Sequence, residues 1–228
     1  MKIKTLGCII FIILLFIIAF TLPSKEEKYE EELLNIEYDV KGNETTLNYE
    51  TNNPVVAMYI KKYGSIVIEL YPEIAPNTVN NFISLVRKGF YDNNTFHRLM
   101  PGFVLQGGDP NGSGSGGPGY SIAGEFTQNG YENNLAHEKW VVSMARSPYS
   151  FDSAGSQFFV CLENAASLNG GYATFGKVID GFSAIEKIVE NEKVANSETG
   201  KLVSNLIIKK ALVDTKGKEY PEPQIIEN

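Results

Sequence analysis

The sequence predicts a mainly β domain, an antiparallel barrel or sandwich, and three observations point there. Short apolar runs, several of them alternating, recur along most of the chain. Clusters of Pro, Gly and Asn separate the runs, as turns separate the strands of an antiparallel sheet. Two stretches carry helical spacing instead, and many strands with two amphipathic helices suggest a closed barrel whose open ends the helices cover.

VVAMYI (55–60) is the first strand and leads into GSIVIEL, where Ile66, Ile68 and Leu70 share one face by period-2 alternation. PNTVNNFISLVRKG then places Val79, Phe82, Ile83 and Val86 at i, i+3, i+4 and i+7. Asn77 or Thr78 is its candidate N-cap and Gly89 its candidate stop. FVLQGG, WVVSMA, QFFVCL and ATFGKVI read as further strands. FSAIEKIVEN is the second helix, on Phe182, Ile185, Ile188 and Val189, with Ser183 as candidate cap. NLIIKKALV is the last strand.

At 228 residues the chain holds one sizeable domain plus extensions. A composition of 43% hydrophobic and 11% aromatic residues excludes a collagen-like, disulfide-framed or wholly disordered protein. The first 24 residues stand apart, with no charge between Lys4 and Lys25 and the run CIIFIILLFIIAF between them. A helix needs roughly 17–25 such residues to span a bilayer, so residues 6–22 are read as a membrane anchor. A cleaved secretory signal is the alternative, although Ala19-Phe20-Thr21 is a poor cleavage site. Lipidation fits least, because Cys8 precedes the apolar run. All three readings export the chain beyond this segment, since Lys2 and Lys4 favour an inside N-terminus. The expected location is extracytoplasmic, tethered to the cell membrane or secreted after cleavage.

Residues 25–54 hold nine acids against three lysines and read as a solvated acidic linker. They carry nearly all of the chain's net charge of −7, so residues 55–215, the expected globular domain, are close to neutral. That balance gives no electrostatic case for nucleic acid. Residues 216–228 are a C-terminal tail. Cys161 sits in QFFVCL and reads as a buried small hydrophobe, and Cys8 is no plausible disulfide partner for it. With two histidines and no ligand spacing, no metal site is expected.

The stretch YDNNTFHRLMPGFVLQGGD (91–109) orders Phe96-His97-Arg98, Pro101-Gly102-Phe103 and Gln106-Gly107-Gly108-Asp109. Arg98 is cationic at every physiological pH and offers five donors in a rigid fork. Phe103 and Gln106, three apart, share a strand face only if the chain bends, which Gly102, Gly107 or Gly108 allows. His97 as a general base lacks a paired Ser or Cys, and packing under a barrel suits it better. His137, the other histidine, falls in a loop. The run GGDPNGSGSGGPG lacks Gly-Lys-Ser/Thr and a subsequent helix, so a phosphate cradle is excluded and a flexible groove wall is expected.

These motifs resemble the cyclophilin family. Tyr91, Phe96, His97, Arg98, Phe103, Gln106, Gly107 and Gly108 stand at matching places. Ser143-Met144-Ala145, Gly155-Ser156-Gln157-Phe158-Phe159, Leu168-Asn169-Gly170 and Phe175-Gly176-Lys177-Val178 extend the match in the same order. The resemblance implies a closed eight-stranded antiparallel β-barrel capped by two α-helices. It also implies peptidyl-prolyl cis-trans isomerisation, without nucleophile, metal or cofactor, on proline-containing polypeptides. By similarity, Arg98, Gln106 and Phe103 are catalytic. His97, Val104, Ala145, Arg146, Gln157, Phe159, Leu168 and Tyr172 are the substrate-binding candidates. Phe103 and Phe159 would hold the proline ring, with Leu168 and Val104 beside them, and Gln106 would orient Arg98. The chain departs from familiar eukaryotic members at Ser167 (tryptophan there), Tyr172 (histidine) and Arg146 (asparagine). Ser167 implies weak cyclosporin binding. A monomer is expected, and a proline-gripping chaperone or assembly module without turnover is the rival reading.

Overall fold

The computed structural model describes residues 43–227. The readings made on residues 1–24, and on the linker up to residue 42, lie outside the described residues. In chain order the elements are β1 (Val55–Ile60), β2 (Gly64–Leu70), α1 (Pro76–Arg87), β3 (Thr95–Met100), β4 (Val104–Asp109) and β5 (Tyr120–Ser121). Next come β6 (Val141–Met144), β7 (Phe158–Cys161), β8 (Thr174–Asp180), α2 (Phe182–Asn191), β9 (Val194–Asn196), β10 (Lys201–Asp214) and β11 (Ile226–Glu227). The order β1-β2-β8-β6-β7-β4-β3-β10, with β10 pairing back onto β1, closes an eight-stranded antiparallel barrel. The predicted barrel and its two helices are therefore present. Thr95–Met100 is a strand that alternation alone does not mark, because Phe96 and Leu99 are its two core residues and a bulge at His97 puts them three apart.

Alternation decides what fills the barrel. Ile66, Ile68 and Leu70 of β2 are fully buried in the main core. Helix α1 sends Val79, Phe82, Ile83 and Val86 into the same core. Phe82 packs against Tyr91, Phe158 and Phe175 at centroid distances of 5.1, 5.3 and 5.0 Å. Such tilted and edge-on pairs suit the ring quadrupoles. The buried Tyr91 hydroxyl donates to the Ser156 carbonyl at 3.0 Å, so no polar atom is stranded there. On α2, Ile185 and Ile188 are buried but Phe182 is not in the core; it leans on the Trp140 ring at 5.2 Å.

Both predicted caps differ from those observed. Pro76 opens α1, and the Asn77 and Thr78 amides donate to Glu125, a buried carboxylate from a distant loop. A negative charge there also suits the helix N-terminus. Gly181, with φ 81°, precedes α2 in place of a Ser183 cap. Gly89 does end α1: its N–H reaches Val86 O and that of Phe90 reaches Leu85 O, the pattern of a left-handed glycine stop.

Residues 43–54, which charge alone assigns to a solvated linker, are bound to the barrel wall. The Thr45 N–H donates to Val213 O, and Leu47 N–H to Asp214. Glu44 forms an ion pair with Arg87 at 2.8 Å, and the Tyr49 hydroxyl donates to Asp180. The C-terminal tail runs back along α1, where Glu222 accepts from Ser84 and Lys88 and the Gln224 N–H donates to Asn77. It ends as β11 paired with β5.

Candidate active site

The candidate residues collect on the outer face of the barrel. Register pairs Arg98 with Gln106 across β3 and β4, Gln106 with Phe159 across β4 and β7, and Phe159 with Ser143 across β7 and β6. Directly opposed residues share a face, so these four form a row across the strands. Along β7, Phe158 and Val160 point inward while Phe159 and Cys161 point outward.

The outward residues found a second apolar cluster of Val104, Phe159, Cys161 and Ala165, rimmed by partly buried Phe103, Ala145, Leu168 and Tyr172. Phe103 reaches this face through a tight turn. Pro101 and Gly102 occupy its centre, Gly102 has φ 75°, and the Phe103 N–H donates to Met100 O at 2.9 Å. Of the three glycines able to bend the segment, Gly102 brings Phe103 to the face of Gln106. Tyr172 stands edge-on to Phe159 at 5.8 Å.

A hydrogen-bonded chain borders the cluster. Arg98 Nη1 donates to Gln106 Oε1 at 3.0 Å, and Arg98 Nε donates to Thr199 O at 2.9 Å. Gln106 Nε2 donates in turn to Gln157 Oε1 at 3.0 Å, and Gln157 Nε2 to Gly116 O at 2.9 Å. Arg98 is thus held from a second strand and from the loop before β10. Burial draws its pKa below the ordinary guanidinium value, opposed by Tyr172, and the group stays cationic.

Beyond Gln106 lies a groove of about 590 Å³, lined by the glycine-rich segment, Ala145, Arg146, Gln157 and neighbours. The glycine-rich segment is tied down. Asp109 accepts from the amides of Asn111, Ser113 and Gly114, and these bonds hold its carboxyl at about 2 against the opposing effect of burial. The structure does not bring His97 to the apolar cluster. It sits at the β3 bulge beside the glycine-rich segment, with both ring nitrogens buried and unpartnered, and burial lowers its pKa.

The surroundings of two residues escape sequence reasoning. His137 does lie in a loop, but it is buried, stacks on Phe159 at 5.9 Å and bonds Asn169 and Ser143. Arg146 is enclosed by the rings of Phe126, Phe151 and Tyr172 at 5.3, 5.0 and 4.8 Å. No local pattern names the rings around either one. Cys161 is buried and its thiol is pushed up to about 12, which leaves it inert.

The family described as cyclophilin type peptidyl-prolyl cis-trans isomerase/CLD matches residues 55–213. This chain belongs to that family. The cyclophilin domain is 51% identical over 118 residues to peptidyl-prolyl cis-trans isomerase B of Bacillus subtilis, covering 52% of this chain and 78% of that protein. It is 40% identical over 131 residues to a peptidyl-prolyl cis-trans isomerase of Helicobacter pylori, covering 57% and 77%. A crystal structure of a Cryptosporidium parvum cyclophilin, determined in the presence of the dipeptide Ala-Pro, superposes with a TM-score of 0.62 at 33% identity. The match covers 70% of this chain and 98% of that one. The enzyme class is accordingly that of a peptidyl-prolyl isomerase.

Proposed function

We propose that this cyclophilin isomerises X-Pro bonds of exported polypeptides, with Arg98 as the group that acts on the amide. The reaction makes and breaks no covalent bond. Its barrier, roughly 18–20 kcal/mol, is the resonance lost when the C–N bond twists. Twisting returns the lone pair to the prolyl nitrogen, and a fixed cationic donor beside that nitrogen stabilises the twisted state more than the planar one.

The observation that carries this reading is the Arg98 guanidinium held by Gln106 and Thr199 next to the apolar cluster. With Met100 sulfur as a third acceptor, two of its five N–H donors remain for a ligand. Phe103, Val104, Phe159 and Leu168 offer the proline ring an apolar seat, which Tyr172 walls. Gln106 positions Arg98 and holds peptide backbone. The Ala145 N–H is given to Gln157 O at 2.9 Å, so pairing with a peptide there falls to its carbonyl. Arg146 adds its backbone, and Gln157 lines the adjoining groove.

The apolar residues 6–22 behind Lys2 and Lys4 support export and a membrane tether. Ser167 supports weak cyclosporin binding. A protease-coupled peptide assay on wild type and Arg98→Ala tests the chemistry. Acceleration by wild type that falls sharply in the variant is expected. Peptide binding without acceleration by wild type would return the chain to a proline-gripping module. Mass measurement of the mature N-terminus in the membrane fraction tests the tether.

A further inference from the structure

Arg146 is the one charged residue among those that line the groove beyond Gln106, and its guanidinium lies 4.8 Å from the ring of Tyr172 at the rim of the outer apolar cluster. The other lining residues are Gly, Ser, Pro, Ala, Gln and Tyr, all uncharged at neutral pH. We propose that Arg146 makes this isomerase select substrates that carry an acidic side chain near the proline. The inference rests on the isomerase reading and adds a substrate class to it.

The guanidinium is held in place. Nε donates to Gly171 O and Nη1 to Ser147 O, both at 2.9 Å, and three aromatic rings surround it. Two of its five donors are therefore engaged by backbone, and three remain for a ligand. No carboxylate forms an ion pair with it among the described residues. Two carboxylates next in sequence to groove-lining segments are engaged elsewhere: Asp109 with the glycine-rich segment's amides, and Asp152 with the Gly124 N–H and the Asn129 side chain.

Arginine so placed suits a carboxylate, because its planar fork matches two oxygens at once. The aromatic walls keep water from part of the cation, which strengthens an ion pair above the value of an exposed one. A lysine-bearing substrate meets the same fixed cation as repulsion. A pre-positioned arginine also loses little side-chain freedom when a ligand arrives.

The test is a peptide series with Glu, Ala or Lys at each position flanking one X-Pro bond, assayed for kcat/KM at low salt. The readout is the Glu-to-Lys ratio within each enzyme, so overall changes in activity cancel. Wild type is expected to favour Glu by about tenfold at one position, and Arg146→Gln to bring that ratio close to one. Raising the salt should shrink the wild-type preference, since screening weakens partly exposed pairs. That measurement stands even if the variant does not fold. A wild-type ratio near one, a preference that survives Arg146→Gln, or one indifferent to salt overturns the inference while leaving the isomerase reading intact. Lack of turnover on every peptide overturns both.

Discussion

Along β7 the chain sends Phe158 and Val160 into the barrel and Phe159 and Cys161 onto its outer face, so two apolar clusters share strands but not surroundings. Inside, Phe158 is enclosed by Phe82, Tyr91 and Phe96, edge-on at 5.3, 5.6 and 5.7 Å. Outside, Phe159 stacks on His137 and meets Tyr172, while the rim of Phe103, Ala145 and Leu168 stays partly exposed. The described interior residues are almost fully buried, whereas the outer cluster keeps a partly exposed apolar rim beside a cation. The barrel supplies rigidity, and its outer wall carries the candidate site.

Exchanging the two phenylalanines tests that division most severely. Phe158→Ala should cost about 3–5 kcal/mol by urea unfolding, the usual range for emptying a buried aromatic site. Phe159→Ala should cost less stability, since its neighbours border solvent and can relax, but should lower kcat/KM. Equal stability costs with unchanged kcat/KM would erase the distinction.

Arg98→Ala belongs to the outer region alone. Its kcat/KM should fall about 10²-fold, as when one preorganised donor is lost, with an unchanged unfolding midpoint. A comparable fall in stability would make Arg98 a structural residue. Gly108→Ala should touch both regions. Its φ is 87°, and an added Cβ would collide with the Ser156 carbonyl beside Gln157. A loss of about 2–3 kcal/mol is expected, and a neutral result would mean that β4 and β7 can move apart there.

The smallest effect is pH dependence between about 7.5 and 5.5, around the ordinary histidine range. Burial lowers the folded pKa of both His97 and His137 below the ordinary 6.5, opposed by Asp109 and Asn169 respectively. The unfolded chain therefore binds protons first as pH falls. Stability is full above about 6.5 and declines below it. The urea midpoint should drop across this window, and less so in His137→Gln. Asp109, held at about 2, contributes nothing there. A flat or rising midpoint would refute burial of the neutral rings.

Much of the fold is legible locally. Ile66, Ile68 and Leu70 announce their face by alternation, and Val79, Phe82, Ile83 and Val86 theirs by helical spacing. The candidate site is partly legible: Arg98, Phe103 and Gln106 stand out by their match to the family's order in one short stretch, and the structure gathers them. Thr95–Met100 hides because its bulge breaks the period. Arg146 is visible as a departure, yet nothing near it in sequence names Phe126 or Tyr172 as its walls. His137 likewise gives no hint of Phe159.

Local pattern was enough for the strand and helix faces and the two-helix barrel class, while resemblance to the family singled out the arginine, glutamine and phenylalanine of the candidate site. Periodicity is written within a few residues and needs no distant partner to be read. Long-range packing settled that Glu125 caps α1, that residues 43–54 and the tail bind the barrel, and that Arg146 becomes the groove's one charge. Each of those contacts joins residues far apart along the chain, and only closure of the barrel brings them together.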